Sequence, residues 1–376
     1  MKIAVIMTDW SSNEYRTKHN LYGGVGYYRI VKPYQELAKR YKDISVDIYN
    51  KELSEQSKGK KPEVFWNEFV SKYDIIITKA IDNGQAAAML KFFCERLGKK
   101  LIMDLDDNYF EVMPDQPAYQ YYYPGSEKRC LFSAYLSMVD AVITSTVPLT
   151  RYYSEHFKKV FNINTPVYTF PNYNDINDWT FKSSKNKDKI VIGWAGSTTH
   201  DNDLELVMPA INRLMNEYPN VYLELMGGLT NETAPKVLKY FVNNDNHKRV
   251  NIKGGTSAWE GYPKKMSEQK WDIGIAPLLN TEFNRGKSHI KWMEYAMFKI
   301  PCVASKTYPY SENIKEDTGL LAIDCLDFYK KLKQLIDNKD LRKKIGENAY
   351  NYVKDNLQWS DNIDELYKII NKVYEL

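Results

Sequence analysis

Short apolar runs rich in β-branched residues recur along the chain, separated by longer stretches with the spacing of amphipathic helices. Lys2 to Ile6, Val46 to Tyr49, Ile75 to Thr78, Leu101 to Met103, Ala141 to Thr144 and Val167 to Phe170 read as strands. A second series follows at Ile190 to Trp194, Tyr222 to Met226, Val250 to Lys253, Ile273 to Ala276 and Cys302 to Ala304. After strand one comes a long polar loop, a Gly-rich turn and a helix from about Tyr27 to Tyr41. Strands alternating with helices throughout predict an α/β protein with parallel sheets. Between the two series, Pro171 to Lys189 is Asn, Asp, Ser and Lys without apolar period, which reads as a linker. Tyr109 to Lys128, rich in Tyr and Pro, is too irregular for a simple helix. From Leu341 onward the spacing predicts two amphipathic helices broken near Trp359 and Ser360.

Length changes this picture little: 376 residues exceed what one core usually organises, roughly 250 to 300, so two domains are expected. With 43% hydrophobic and 27% charged residues the chain is globular rather than disordered. A net charge of +4 is too small to imply a nucleic-acid partner by itself. Cys94, Cys130, Cys302 and Cys325 are far apart, without CxxC or a Cys/His cluster, and read as reduced thiols. No signal peptide is read before the first strand, and no apolar run approaches membrane-spanning length. A cytoplasmic protein is expected, with a peripheral membrane contact left open.

The richest stretch runs from Trp271 to Ala322. Trp271 to Ala276 is apolar, carries Ile273 and Ile275, and stops at Pro277, so it predicts a buried strand. A polar loop with Asn284, Arg285 and Lys287 follows. Ile290, Met293, Tyr295 and Met297 then recur at helical spacing, and Pro301 to Ala304 predicts the next strand. Lys287, Lys291 and Glu294 stand at i, i+4 and i+7 and so share one helical face near its start. Two cations and a carboxylate at a strand-to-helix crossing suit a ligand with a diphosphate and a ribose. Cations and backbone donors take the phosphates, and the carboxylate accepts from sugar hydroxyls.

This stretch resembles the donor-binding region of glycosyltransferases built from two Rossmann-like domains, the GT-B fold, nearest the family 4 type. The resemblance rests on DIGIAPL, on KSHIKWMEYAMFKIP and on VAS…PY…I…TGLLA. Such enzymes usually show a Glu, seven residues, and a second Glu opening an EAMxxGxP run. Glu294 falls on the second Glu. Gly286 stands where the first would be, and Lys299 where a Gly usually precedes the Pro. The resemblance implies an acceptor-side domain over 1–175 and a donor domain over 188–358, facing across a cleft. It also implies that 359–376 cross back onto the first domain. A nucleotide-sugar would be the donor, with no tightly bound cofactor and no essential divalent metal.

Four further motifs bear on chemistry. In GGVGYYR, Gly23, Gly24 and Gly26 allow close backbone approach before a helix N-terminus. The spacing is not GxGxxG, so a dinucleotide site is not expected. Beside the donor motif, the turn reads as a loop facing the donor phosphates, with Arg29 either adding charge or solvated. Asp104, Asp106 and Asp107 follow a strand, where open α/β sheets bind ligands. Three carboxylates so close repel unless something offsets them. They are candidates for a general base or acceptor contact, for helix capping, or for a divalent metal site.

GWAGSTTHDND opens the second series, and Gly196, Ser197 and Thr198 repeat the phosphate-cradle pattern. It resembles the family's GxxGS turn. His200 is a candidate donor contact or a surface residue. By the same resemblance Lys253, Gly254 and Gly255 lie near the nucleotide base, and Tyr262 closes the pocket. The insert from Ala118 to Arg129 offers Tyr121, Tyr122, Lys128 and Arg129 as an acceptor-side wall or as core packing.

The leading expectation is a glycosyltransferase, hexosyl or pentosyl, acting on a hydroxyl acceptor such as a glycan. The alternatives are a phage-type enzyme that glycosylates hydroxymethylated DNA bases, a non-catalytic nucleotide-sugar binder, and a nucleotide-sugar epimerase. Salt dependence of duplex binding separates the DNA reading from the rest.

Overall fold

The computed structural model describes residues 1–7, 21–79, 84–180, 188–197, 200–227, 234–242, 245–256 and 258–376. Thr198 and the loop after the first strand up to residue 20 lie outside them. Strands β1 (Lys2–Ile6), β2 (Ser45–Tyr49), β3 (Ile75–Thr78), β4 (Lys100–Leu105), β5 (Ala141–Thr144) and β6 (Val167–Thr169) form one parallel sheet, ordered β2-β1-β3-β4-β5-β6. Strands β7 (Ile190–Ala195), β8 (Val221–Met226), β9 (Val250–Lys253), β10 (Ile273–Ala276), β11 (Cys302–Ser305) and β12 (Leu320–Ala322) form a second, ordered β12-β11-β10-β7-β8-β9. The anticipated strands all form, with edges shifted by one or two residues. The three-residue β12 was not anticipated, because so short a run carries no period to read.

Each sheet is covered on both faces, so its strands read as continuous apolar runs rather than alternations. Ile3 and Val5 pack with Tyr27, Ile30, Tyr34 and Leu37, whereas Ala4 and Ile6 pack with Phe65, Phe69 and Leu90. The first of these clusters continues into the second sheet through Trp259, Trp271 and Trp292. The two sheets therefore share apolar packing as well as a chain. Each sheet also reverses its winding once, between β1 and β3 and between β7 and β10. Ligands of open α/β sheets bind beyond the carboxyl ends of the strands at such points.

The expected helix after the Gly-rich turn is wound as a π-helix over Gly26–Val31, wholly buried, and continues as Lys32–Arg40. The tail forms helices Lys339–Asn356 and Trp359–Tyr374. The second buries Ile363, Leu366, Ile370 and Val373 and lies on the helix Lys32–Arg40. There Tyr41 and Tyr367 stack at 3.7 Å, and Tyr41 donates to Asp364 at 2.7 Å. The expected linker departs from its reading in its first half. Asn174 exchanges backbone bonds with Leu357 and Trp359, and its Oδ1 accepts from the indole of buried Trp179 at 2.7 Å. The backbone of Asn174 and its bond to Trp179 tie the segment down without an apolar period. Residues 119–136, from the Tyr-rich insert onward, form one turn at Tyr119–Tyr122 and a helix at Glu127–Leu136, capped by Ser126. No described helix is long and apolar enough to cross a membrane.

The helix Ile290–Met297 ends in a Schellman motif: Lys299 donates to the Ala296 carbonyl and Ile300 to that of Tyr295. The motif requires a left-handed residue, and Lys299 fills that place at φ 53°. Gly346 packs against this turn so closely that an added Cβ would lie 2.2 Å from the Lys299 carbonyl oxygen. Replacing Lys299 by Gly removes the Cβ penalty but adds chain entropy to unfolding. We expect a net gain of about 0.5–1 kcal/mol. Gly346→Ala should lose about 1–3 kcal/mol through overpacking. Thermal unfolding of both variants checks this; unchanged midpoints would show the turn to be unstrained.

Candidate active site

The two reversal points face one another across a cavity of about 790 Å³. From the first sheet come Gly23, Gly24 and Tyr28 after β1, and Asp106 and Asp107 after β4. From the second come Gly196 and Ser197 after β7, then Lys287, Lys291 and Glu294 around the start of the helix Ile290–Met297. Lys287 lies in the turn before that helix rather than on it, yet all three reach the same cavity.

The cavity floor at the ends of β7, β8 and β9 is backbone. Gly227 takes φ +77°, and a Cβ on it would meet the Gly196 carbonyl at 2.7 Å; one on Gly255 would meet the Gly227 Cα at 2.9 Å. Three glycines thus let adjacent loops touch and leave room above them. Gly255 lines the cavity and Gly254 does not. The Lys253 side chain turns to Glu224 at 2.9 Å. Gly26 is buried at the π-helix start instead of lining the space. Trp259, Thr256 and Gly227 also line it, and the sequence reading missed them because no motif surrounds them.

Asp104, Asp106 and Asp107 separate into three environments. Asp104 is buried, with both carboxylate oxygens 2.8 Å from the Arg29 guanidinium. Arg29, expected to be solvated or to face phosphate, is instead buried. It also donates to the Phe170 carbonyl at 2.7 Å and to Asn172 at 2.9 Å. Asp106 pairs with Lys79 at 2.5 Å and Asp107 with Lys287 at 2.7 Å. Each carboxylate has its own cation, which offsets the repulsion among them. The capping reading falls: from Asp106 the chain runs through turns to Tyr119, with no helix to cap.

Tyr121, Tyr122 and Arg129 are not brought to the cavity. Arg129 donates to the Phe110 and Tyr122 carbonyls, at 2.9 and 3.3 Å, and Tyr122 packs on Tyr109. Tyr121 is exposed under the Lys128 ammonium. Backbone carbonyls left free by an irregular insert recruited the guanidinium.

Residues 175–352 match the family model described as glycosyl transferases group 1. No curated protein sequence matches the chain. Among solved structures, Anabaena HepE in complex with UDP-glucose has a TM-score of 0.66 at 13% identity, covering 99% of this chain and 100% of its own. Sucrose-phosphate synthase from Thermosynechococcus elongatus has the same score and identity, covering 100% and 99%. TarM aligns with 84% of this chain at a TM-score of 0.61 and 15% identity, but this chain spans 58% of TarM. The chain has a GT-B fold, and its second half is similar to group 1 glycosyltransferases.

Within this GT-B frame, the place of the absent first Glu has a steric reason. A Cβ on Gly286 would lie 2.8 Å from buried Leu149, and the Gly286 carbonyl accepts from Thr146 at 3.0 Å. The first domain packs against the backbone there. Glu294 is buried, and its oxygens accept from Tyr28 at 3.1 Å and Tyr262 at 2.7 Å, one tyrosine from each domain. Burial pushes its carboxyl up to about 7, against the pull of those hydroxyls and of Lys291. Burial, with Lys287 beside it, brings the Lys291 ammonium down to about 8. His200 is buried rather than at the surface, and burial with Lys291 brings it down to about 4.

Two outcomes follow. Arg29→Ala leaves Asp104 buried without its counter-charge, so stability should fall by about 3–5 kcal/mol in chemical denaturation. A loss under about 1 kcal/mol would mean that water reaches the site. Glu294 binds its proton more tightly folded than unfolded, so between the ordinary glutamate value and about 7 it makes stability fall as pH rises. His200, shifted down to about 4, acts oppositely over most of that range, up to the ordinary histidine value, so the wild type must be compared with Glu294→Gln. The variant should gain on the wild type by up to about 1.4 kcal/mol per pH unit across that window. Parallel stability curves would place the Glu294 carboxyl in water.

Proposed function

We propose that this chain transfers a sugar from a nucleotide-sugar to a hydroxyl acceptor, with a glycan as acceptor and a UDP-sugar as donor. The observation that carries this is the convergence of Lys287, Lys291 and Glu294 on one cavity, opposite Asp106 and Asp107. Backbone amides at Gly196 and Ser197, with those of the Gly23 turn, meet the diphosphate. Lys287 and Lys291 offset the charge that develops on it as the glycosidic bond breaks. Glu294 accepts from ribose hydroxyls, exchanging its tyrosine partners for them. The glycine floor and Trp259 leave a slot for the base. Asp107 or Asp106, on the opposite wall, receives the acceptor hydroxyl proton.

UDP is favoured because HepE is described in complex with UDP-glucose, and the pneumococcal O-GlcNAc transferase GtfA with UDP and GlcNAc. The DNA-modifying alternative drew on the Tyr/Lys/Arg insert. With Arg129 and Tyr122 engaged in packing, nothing favours it over a glycan.

A donor-hydrolysis screen across UDP-, GDP- and ADP-sugars tests the reading. One class should be turned over slowly, and Lys287→Ala and Lys291→Ala should each weaken its use by about 1.5–3 kcal/mol. Lys287→Ala also frees Asp107, so folding is checked alongside. Undiminished turnover in both variants would place the donor elsewhere. Asp107→Asn should abolish transfer while nucleotide affinity persists; retained transfer there and in Asp106→Asn would remove the carboxylates from the chemistry.

A further inference from the structure

His200 sits between two groups that leave its ring no choice of proton. Asp203 Oδ2 lies 2.8 Å from Nδ1, and Lys291 Nζ lies 3.0 Å from Nε2. A carboxylate only accepts and an ammonium only donates. Nδ1 therefore carries the hydrogen, and Nε2 offers its lone pair to the lysine. Asp203 is anchored in turn: its Oδ1 accepts from the Leu279 amide at 2.8 Å and from Asn284 Nδ2 at 2.9 Å. Asp203, His200 and Asn284 are all buried, so water does not substitute for these partners. We propose that Asp203 and His200 are positioning residues that fix the tautomer and hold the Lys291 ammonium toward the donor diphosphate. The phosphate contact rests on the donor-site proposal above; the tautomer does not.

A lysine side chain has four rotatable bonds, and holding it in place beforehand spares the ligand that ordering. The other groups facing Lys291 do not share the task. Lys287 repels it; Glu294, Asp203 and Asp107 attract it from a distance, and the Trp194 ring lies 5.9 Å away. The His200 lone pair is the directional contact.

Asp203→Asn provides a sharp perturbation because it nearly keeps shape. The new amide oxygen must face the two donors from Leu279 and Asn284, so its NH2 faces His200. The ring then moves its hydrogen to Nε2, where N–H confronts the ammonium. An Asn in place of the anchor thus misplaces Lys291 without touching it.

Ring-nitrogen NMR of 15N-histidine-labelled protein reads the tautomer directly, and calorimetry with inorganic pyrophosphate and with UDP reads its consequence. The wild type should carry hydrogen on Nδ1 of His200, and Asp203→Asn on Nε2. Asp203→Asn and His200→Leu should bind both probes roughly tenfold or more weakly, the loss of about one charged hydrogen bond. His200→Gln, whose Oε1 accepts as Nε2 does, should recover most of the affinity. Affinity should also decline as pH rises through about 8 in the wild type, and at lower pH in His200→Leu. Hydrogen on Nε2 in the wild type, or wild-type binding by His200→Leu, overturns the relay. If the wild type has the expected tautomer but binds neither probe, the phosphate contact fails together with the donor-site reading. Should His200→Leu misfold, the wild-type and Asp203→Asn spectra still decide.

Discussion

The cleft depends on one buried ion pair. Arg29 leaves the π-wound start of the first long helix and grips Asp104 at the end of β4 through two parallel bonds. Its remaining donor reaches the Phe170 carbonyl and Asn172, and Asn172 passes a further bond to Ser288 at 2.9 Å. One guanidinium thereby joins the Gly turn, the aspartate loop, the segment between the two sheets and the approach to the helix Ile290–Met297. Burial pushes Asp104 up in spite of Arg29, while Asp104 outweighs burial at Arg29 and holds it above its ordinary value. Such a pair is often no more stabilising than apolar packing. What it supplies is direction: a rigid fork fixes both ends, and β4 then delivers Asp106 and Asp107 to the cavity wall.

Around this anchor the charged groups that line the cleft engage one another and their neighbours. Asp106 holds Lys79, Asp107 holds Lys287, Lys291 meets His200, and Glu294 takes two hydroxyls. A ligand entering here exchanges partners rather than filling vacant bonds, and gains only the difference. The Asp107–Lys287 exchange has a chemical edge. A diphosphate that draws Lys287 away leaves Asp107 with less positive charge nearby and raises its basicity.

The sheets were legible in the sequence because buried parallel strands are short apolar runs, and polar or helix-forming stretches separate them. Lys287, Lys291 and Glu294 were legible as a set because helical spacing and strand context both pointed at them. Asp104 could not be told from Asp106 and Asp107, since adjacent carboxylates differ only in which cation the fold brings to each. Arg29 looked like any basic residue on a helix; its partner is 75 residues away. His200 and Asp203 stood three apart in the sequence, but Lys291, which gives the pair meaning, comes from a different segment. Gly227 and Gly255 belong to two separate Gly-Gly pairs, and their importance lies in touching one another. In each case the missing information was a long-range contact, not a local preference.

The helix Trp359–Tyr374 lies on Lys32–Arg40, which is synthesised long before it. During translation the first sheet emerges with that flank uncovered, and it stays so while the second sheet is made. Tyr41 waits for Tyr367, and the apolar row from Ile363 to Val373 arrives to cover that flank only after the whole second sheet has been made. Domains of a nascent chain generally fold in order of appearance. Of the two sheets the one made earlier is the one finished later, and a chain stalled before Trp359 would expose an adhesive strip along Lys32–Arg40.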